Sequence, residues 1–90
     1  MSQTPHFLDG NAAAGELQSL FGTDMTQASG RCRGCSAEMV LAQTHAYLGG
    51  PGTVLRCPGC EGVLLRLVRS PSQMWLDAGG LAYIQMPAPA

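Results

Sequence analysis

Four cysteines, Cys32, Cys35, Cys57 and Cys60, are the residues of this chain whose type and spacing carry chemistry. They fall in two copies of one pattern, RCRGC at 31–35 and RCPGC at 56–60, with 21 residues between the pairs. A tight turn across Cys-x-x-Cys brings both sulfurs to one point, and two such turns facing each other make a tetrahedral cage of four sulfurs. Gly34 and Gly59, each just before the second cysteine, are expected to take a backbone conformation that other residues resist. The separation lies slightly beyond the roughly 15–20 residues usual between paired zinc knuckles, and it has room for one outgoing and one returning strand. The chemistry predicted is a closed four-cysteine metal centre, with Zn2+ the first choice, which organises structure and leaves no open position to activate water.

Other uses of four thiols fit less well. Two disulfides or four reduced thiols are the plain alternative, disfavoured in a reducing compartment. A catalytic redox pair is disfavoured because neither Cys-x-x-Cys opens a helix, whose N-terminus would lower a thiol pKa. Four thiolates suit a single iron equally well. The Cys57-Pro58-Gly59-Cys60 turn is similar to the second loop of rubredoxins, which hold one redox-active iron, although rubredoxins are rich in acidic and aromatic residues and this chain is 6% aromatic. A rubredoxin-like electron carrier serving an oxidoreductase is therefore the second reading.

All five basic residues are arginines, and Arg31, Arg33 and Arg56 sit beside the cysteines, where guanidinium groups would screen a thiolate cluster. Arg66 and Arg69, together with Arg56, could line one face of a ribbon and contact phosphates, which gives a nucleic-acid-binding ribbon as a third reading. Against it, the net charge is −1 and the aromatics Phe7, Phe21, Tyr47, Trp75 and Tyr83 are scattered. His45 reads as a strand histidine beside an already complete tetrahedron, and His6 as an exposed one. Trp75 reads as the cover of one end of a small sheet. Asp9, Glu16, Asp24, Glu38, Glu61 and Asp77 are dispersed singly, so no paired-carboxylate site is expected, and no phosphate loop or nucleophile elbow is present. An enzyme is not predicted.

The elements that must position the cysteines follow from periodicity. Leu8, Ala12, Ala13, Leu17, Leu20 and Phe21 recur at helical intervals, with Asp9 or Asn11 as N-cap and Gly22 as the stop. Gly15 costs this helix about 1 kcal/mol relative to Ala, which a close packing contact would explain. Beyond Gly22 the period changes to short strand-like runs. DMTQASGR and AEMVLAQ flank the first knuckle; TVLR and GVLLRLVR flank the second. In GVLLRLVR, Val63, Leu65 and Leu67 point one way and Leu64, Arg66 and Val68 the other, as in a central strand with one apolar face. GGPG at 49–52, SPS at 70–72 and AGG at 78–80 mark turns.

Composition sets the outer limits. A chain of 90 residues is one small domain, of the size that wants a staple, and only 12% of it is charged, about half the usual share. Such a surface favours a protein partner or a homo-oligomer, through the helix or the Leu-rich strand. No apolar run is long enough to span a membrane, and MSQTPHFLDG lacks the marks of a signal peptide, so a cytoplasmic location is expected.

Taken together, LDGNAAAGELQSLFG, both cysteine pairs, GPGTVLRC, GVLLRLVR and the Trp75–Asp77 WLD resemble a small bacterial family of short zinc-ribbon-like proteins, a domain of unknown function, over roughly residues 8–86. The resemblance implies the four-cysteine site and no established activity. It also implies an accessory role, because genes of that family often neighbour those of flavin or molybdenum oxidoreductases. The expected fold is a small α+β domain, with an N-terminal helix packed on a zinc-ribbon-like antiparallel sheet of three to five strands that carries two knuckles. Its expected divisions are a flexible leader at 1–7, the helix at 8–22, the ribbon at 23–86 and a disordered tail at 87–90.

Overall fold

The computed structural model describes residues 7–49 and 52–88. The expectations for His6 and for the last two residues, and part of that for the GGPG turn, lie outside them.

The N-terminal segment is more divided than its period suggests. Leu8–Asp9 form a short strand, β1; Gly10–Ala13 make one 3-10 turn; only Ala14–Phe21 are α-helix, α1. Asp9 is the N-cap, accepting a hydrogen bond from the Asn11 amide at 3.0 Å, but it caps the 3-10 turn rather than the α-helix. The cause is Gly10, where a Cβ would sit 1.7 Å from the Leu41 carbonyl oxygen, so the backbone here is pressed against a neighbouring turn before the helix can begin. Gly22 ends α1 in the left-handed region (φ 77°), its amide bonded to Gln18 O at 2.8 Å. Gly15 has nothing within 4 Å of where its Cβ would be, so no close contact accounts for it. Residues 1–6 of the expected leader lie outside the described residues; its last residue, Phe7, stacks on His45 with ring centroids 3.9 Å apart.

The remaining elements among the described residues are, apart from one 3-10 turn, antiparallel β-strands, as expected, divided between two sheets. The strands are β2 (Ser29–Cys32), β3 (Glu38–Val40), β4 (His45–Gly49), β5 (Gly52–Arg56), β6 (Val63–Arg69), β7 (Met74–Asp77) and β8 (Leu81–Gln85). One sheet has the order β1-β4-β5-β6-β7 and the other β3-β2-β8. The switch between them occurs at a 3-10 turn, Leu41–Gln43, where the buried Thr44 hydroxyl donates to Leu41 O at 2.7 Å. AEMVLAQTHAYL, which reads as one stretch of sequence, therefore supplies a strand to each sheet.

One apolar core joins both sheets and the helix, including Leu17, Met39, Leu41, Leu55, Leu64, Leu65, Leu67 and Leu81, and it also contains Cys32 and Cys57. β6 is interior, as its composition predicts, but the alternation slips at its start. Val63 is exposed and Leu64 buried, because the pairing of β5 with β6 shifts register between Leu55 and Arg56 and the 78–80 turn crosses over Val63 and Leu64. At Gly80 a Cβ would lie 1.8 Å from Val63 O, so glycine is required for that crossing.

Candidate metal centre

Each cysteine pair caps a hairpin: Cys32 and Cys35 between β2 and β3, Cys57 and Cys60 between β5 and β6. The two knuckles have the same backbone wiring. Cys32 N bonds to Ala37 O and Cys57 N to Gly62 O, both at 2.8 Å; Ser36 N bonds to Cys32 O and Glu61 N to Cys57 O, both at 2.9 Å. The left-handed residue in each is the one after the second cysteine, Ser36 (φ 67°) and Glu61 (φ 63°), and among the described glycines only Gly22 has positive φ. This corrects the expectation for Gly34 and Gly59. At those positions a Cβ would stand 3.7 Å from the Sγ of Cys32 and of Cys57, respectively, so a side chain would be laid directly against the sulfurs.

The four sulfurs converge. Cys32 Sγ lies 3.7 Å from Cys60 Sγ, Cys35 Sγ lies 3.7 Å from Cys57 Sγ, and all four are within 4.8 Å of one another. A tetrahedral ion with metal–sulfur bonds of about 2.3 Å has sulfur–sulfur edges of about 3.8 Å. A disulfide would need about 2.05 Å, and all four cysteines are free. The cage has an inside and an outside: Cys32 and Cys57 are buried, Cys35 and Cys60 exposed. Backbone amides point at the sulfurs, with Gly59 N donating to Cys57 Sγ at 3.3 Å and Gly62 N to Cys60 Sγ at 3.4 Å.

The electrostatics of this cluster suit a cation. The Cys35 amide, followed by the Gly34 amide and the neighbouring thiols, brings Cys32 down to about 7 against the opposing effect of burial. At Cys35 the Ala37 amide also pulls down, but the Cys57 thiol, burial and the other two sulfurs outweigh it and push the group up to about 11. Thiolates this close repel one another, and a divalent ion at their centre lets all of them ionise. Four soft donors, tetrahedral edges and amide-bonded sulfurs fit a zinc or iron ion.

Among the described residues, the arginines beside the cysteines bond to groups other than sulfur and brace the knuckles. Arg31 pairs with Glu38 at 2.8 Å and lies over the Tyr83 ring, and Tyr83 OH donates to the same carboxylate at 2.6 Å. Bonds from Tyr83 first, and Arg31 second, hold the Glu38 carboxyl below its usual range. Arg33 donates to Gly79 O and Leu81 O, tying the first knuckle to the 79–81 turn. Arg56 donates to Glu61 O at 2.8 Å and lies over Tyr47. Glu61 in turn accepts from His45 Nδ1 at 2.6 Å and from Tyr47 OH at 3.4 Å, so His45 is a strand residue bonded to the second knuckle and no ligand. Glu38, Glu61, Tyr47 and Tyr83 were missed in the sequence because their partners lie in other strands. The register pairing His45 with Arg56 was the signal that would have found Glu61.

The three arginines expected to line one face do not all share it: β5–β6 register puts Arg66 on the face of Arg56, and Arg69 lies on the other. Arg66 and Arg69 are three residues apart on one strand and point to opposite faces. Arg66 pairs with Asp77 at 3.3 Å and Arg69 with Glu16 at 3.0 Å. Trp75 is 53% exposed on the edge strand β7, opposite Val68, so it covers that end of the sheet only in part.

A family model matches residues 3–89, nearly the whole chain. The chain belongs to DUF6510, a family of unknown function. No curated protein and no solved structure gives a significant match. Membership of DUF6510 agrees with the resemblance to a domain of unknown function and assigns no activity. Among the described residues of this DUF6510 chain, no helix is long and apolar enough to cross a membrane.

Proposed function

We propose that Cys32, Cys35, Cys57 and Cys60 hold one zinc ion as a structural centre, and that the chain is a non-enzymatic accessory or protein-interaction module. The observation that carries this reading is the pair of 3.7 Å sulfur–sulfur edges, the size of a zinc–thiolate tetrahedron. When bound, the ion ties two hairpin tips together and contributes folding energy that a domain of this size lacks. The chain's own groups do the rest. Amides of each knuckle orient the sulfurs, Arg33 locks the first knuckle to the turn before β8, and Glu61 locks the second to β4. Four protein ligands complete the tetrahedron, so substrate has no position at the metal. A closed site of this kind leaves function to the surface, which supports a binding role over catalysis in a reducing, cytoplasmic setting.

Elemental analysis of untagged protein tests the metal. One zinc per chain is expected, and Cys57→Ser is expected to abolish it. Protein that is folded, metal-free and indifferent to Cys57→Ser would overturn the proposal. Iron in the same cage, as in a rubredoxin-like electron carrier, is the second reading, favoured by the amide–sulfur bonds and by the two exposed sulfurs. Colour separates the two, since ferric thiolate is red and zinc thiolate colourless.

A further inference from the structure

β7 is the last strand of the five-stranded sheet, and among the described residues no strand pairs with its outer side. All four of its residues are exposed, three of them large and apolar: Met74, Trp75 and Leu76. Edge strands of soluble proteins are ordinarily blunted by lysine, proline, a bulge or shortness. β7 carries no lysine or proline and pairs with β6 in unbroken register. The other edges are less open. β1 has two residues and β3 three, and β8, though five residues long, pairs with β2 in a register that shifts between Arg31 and Cys32, unlike the unbroken β6–β7 pairing.

The hydrogen-bonding parity of β7 is fixed by its turn. Ser70 N bonds to Gln73 O at 2.8 Å, so Gln73 faces β6, and alternation turns Trp75 and Asp77 the same way. The N–H and C=O groups of Met74 and Leu76 therefore point outward. Groups in that arrangement are matched by another β-strand. We infer that β7 is a self-association edge, pairing antiparallel with β7 of a second copy in a register centred on Trp75.

Four considerations select that occupant and register. Met74 lies opposite Leu76 of the second copy, and Leu76 opposite its Met74, so all the outward groups of both strands pair. Trp75 meets its own counterpart at a non-hydrogen-bonded position, where cross-strand side chains approach most closely. Gln73 falls opposite Asp77, so no like charges are opposed, whereas a register centred on Leu76 would set Asp77 against Trp75. The alternation also matches, since Trp75 and Asp77 share the face of Arg66 while Met74 and Leu76 share the face of Leu67. The contact is short, at the small end of specific interfaces below about 1,200 Å², so the equilibrium is concentration-dependent. This surface replaces the two expected from sequence, because β6 is interior and most of the apolar face of α1 is spent on the core.

Sedimentation velocity of the metal-loaded protein over a wide concentration range provides the test. Reversible dimerisation is expected, abolished by Trp75→Lys, which changes an exposed residue and leaves the unfolding temperature and metal content intact. Gln73→Lys, placing a cation opposite Asp77, should tighten the dimer roughly two- to fivefold, and Gln73→Asp should loosen it by a similar factor. Hydrogen exchange at the Met74 and Leu76 amides should slow as concentration rises. A protein monomeric throughout, or a dimer insensitive to Trp75→Lys and to both Gln73 variants, overturns the inference. Neither outcome bears on the metal centre.

Discussion

Ser36 and Glu61 occupy the same place in the two knuckles, the left-handed position that closes each turn. A side chain there costs about 1–2 kcal/mol, and Ser36 makes no compensating side-chain bond among those described. Ser36→Gly should therefore raise stability by about 0.5–1 kcal/mol in denaturant titration. Glu61→Gly should not match it, because Glu61 also holds His45 and Tyr47. Asp24 permits a pH prediction. Its carboxylate accepts from the Thr26 amide at 2.9 Å and the Thr26 hydroxyl at 2.7 Å, and these bonds, the amide first, lower its pKa. A lowered folded pKa means that the contribution is complete above the unfolded value and is lost as pH falls through the folded one. Asp24→Asn should accordingly flatten the acid limb of the stability curve and leave the neutral-to-alkaline slope unchanged. The cysteines, as a type and spacing, were legible at this scale. The bracing acids were not, because each acquires its role only from a partner in another strand.

Among the elements, the helix carries the clearest lesson. Helical intervals from Leu8 to Phe21 predict one continuous helix, yet the chain forms a strand, a 3-10 turn and a short α-helix. Periodicity records which side is apolar; it does not register that Gly10 must pass within contact of Leu41. The two flexible-looking glycines of this region should consequently behave oppositely. Gly15→Ala, into open space, should stabilise by about 0.5–1 kcal/mol. Gly10→Ala, driven against a carbonyl, should destabilise by about 1–3 kcal/mol or more. Thermal unfolding of the pair checks both signs. The hairpins at the knuckles and the interior position of β6 followed from sequence, since turn residues and strand alternation are local signals. The division into two sheets did not, because it depends on the 3-10 turn at Leu41–Gln43 and on glycine-mediated crossing at Gly80.

At the scale of the whole molecule, the cage joins a hairpin of one sheet to a hairpin of the other, and two of its sulfurs belong to the apolar core. Removing the ion should therefore disturb more than the knuckles. A strong chelator is expected to cause cooperative loss of β-structure, monitored by circular dichroism, with a midpoint that moves to lower chelator concentration as pH falls, because protons compete for the thiolates. X-ray absorption at the metal edge tests the central claim most directly. Four sulfurs at about 2.3 Å around one ion are expected. Oxygen or nitrogen in the first shell, or no bound metal in protein whose cysteines are joined as disulfides, would contradict it.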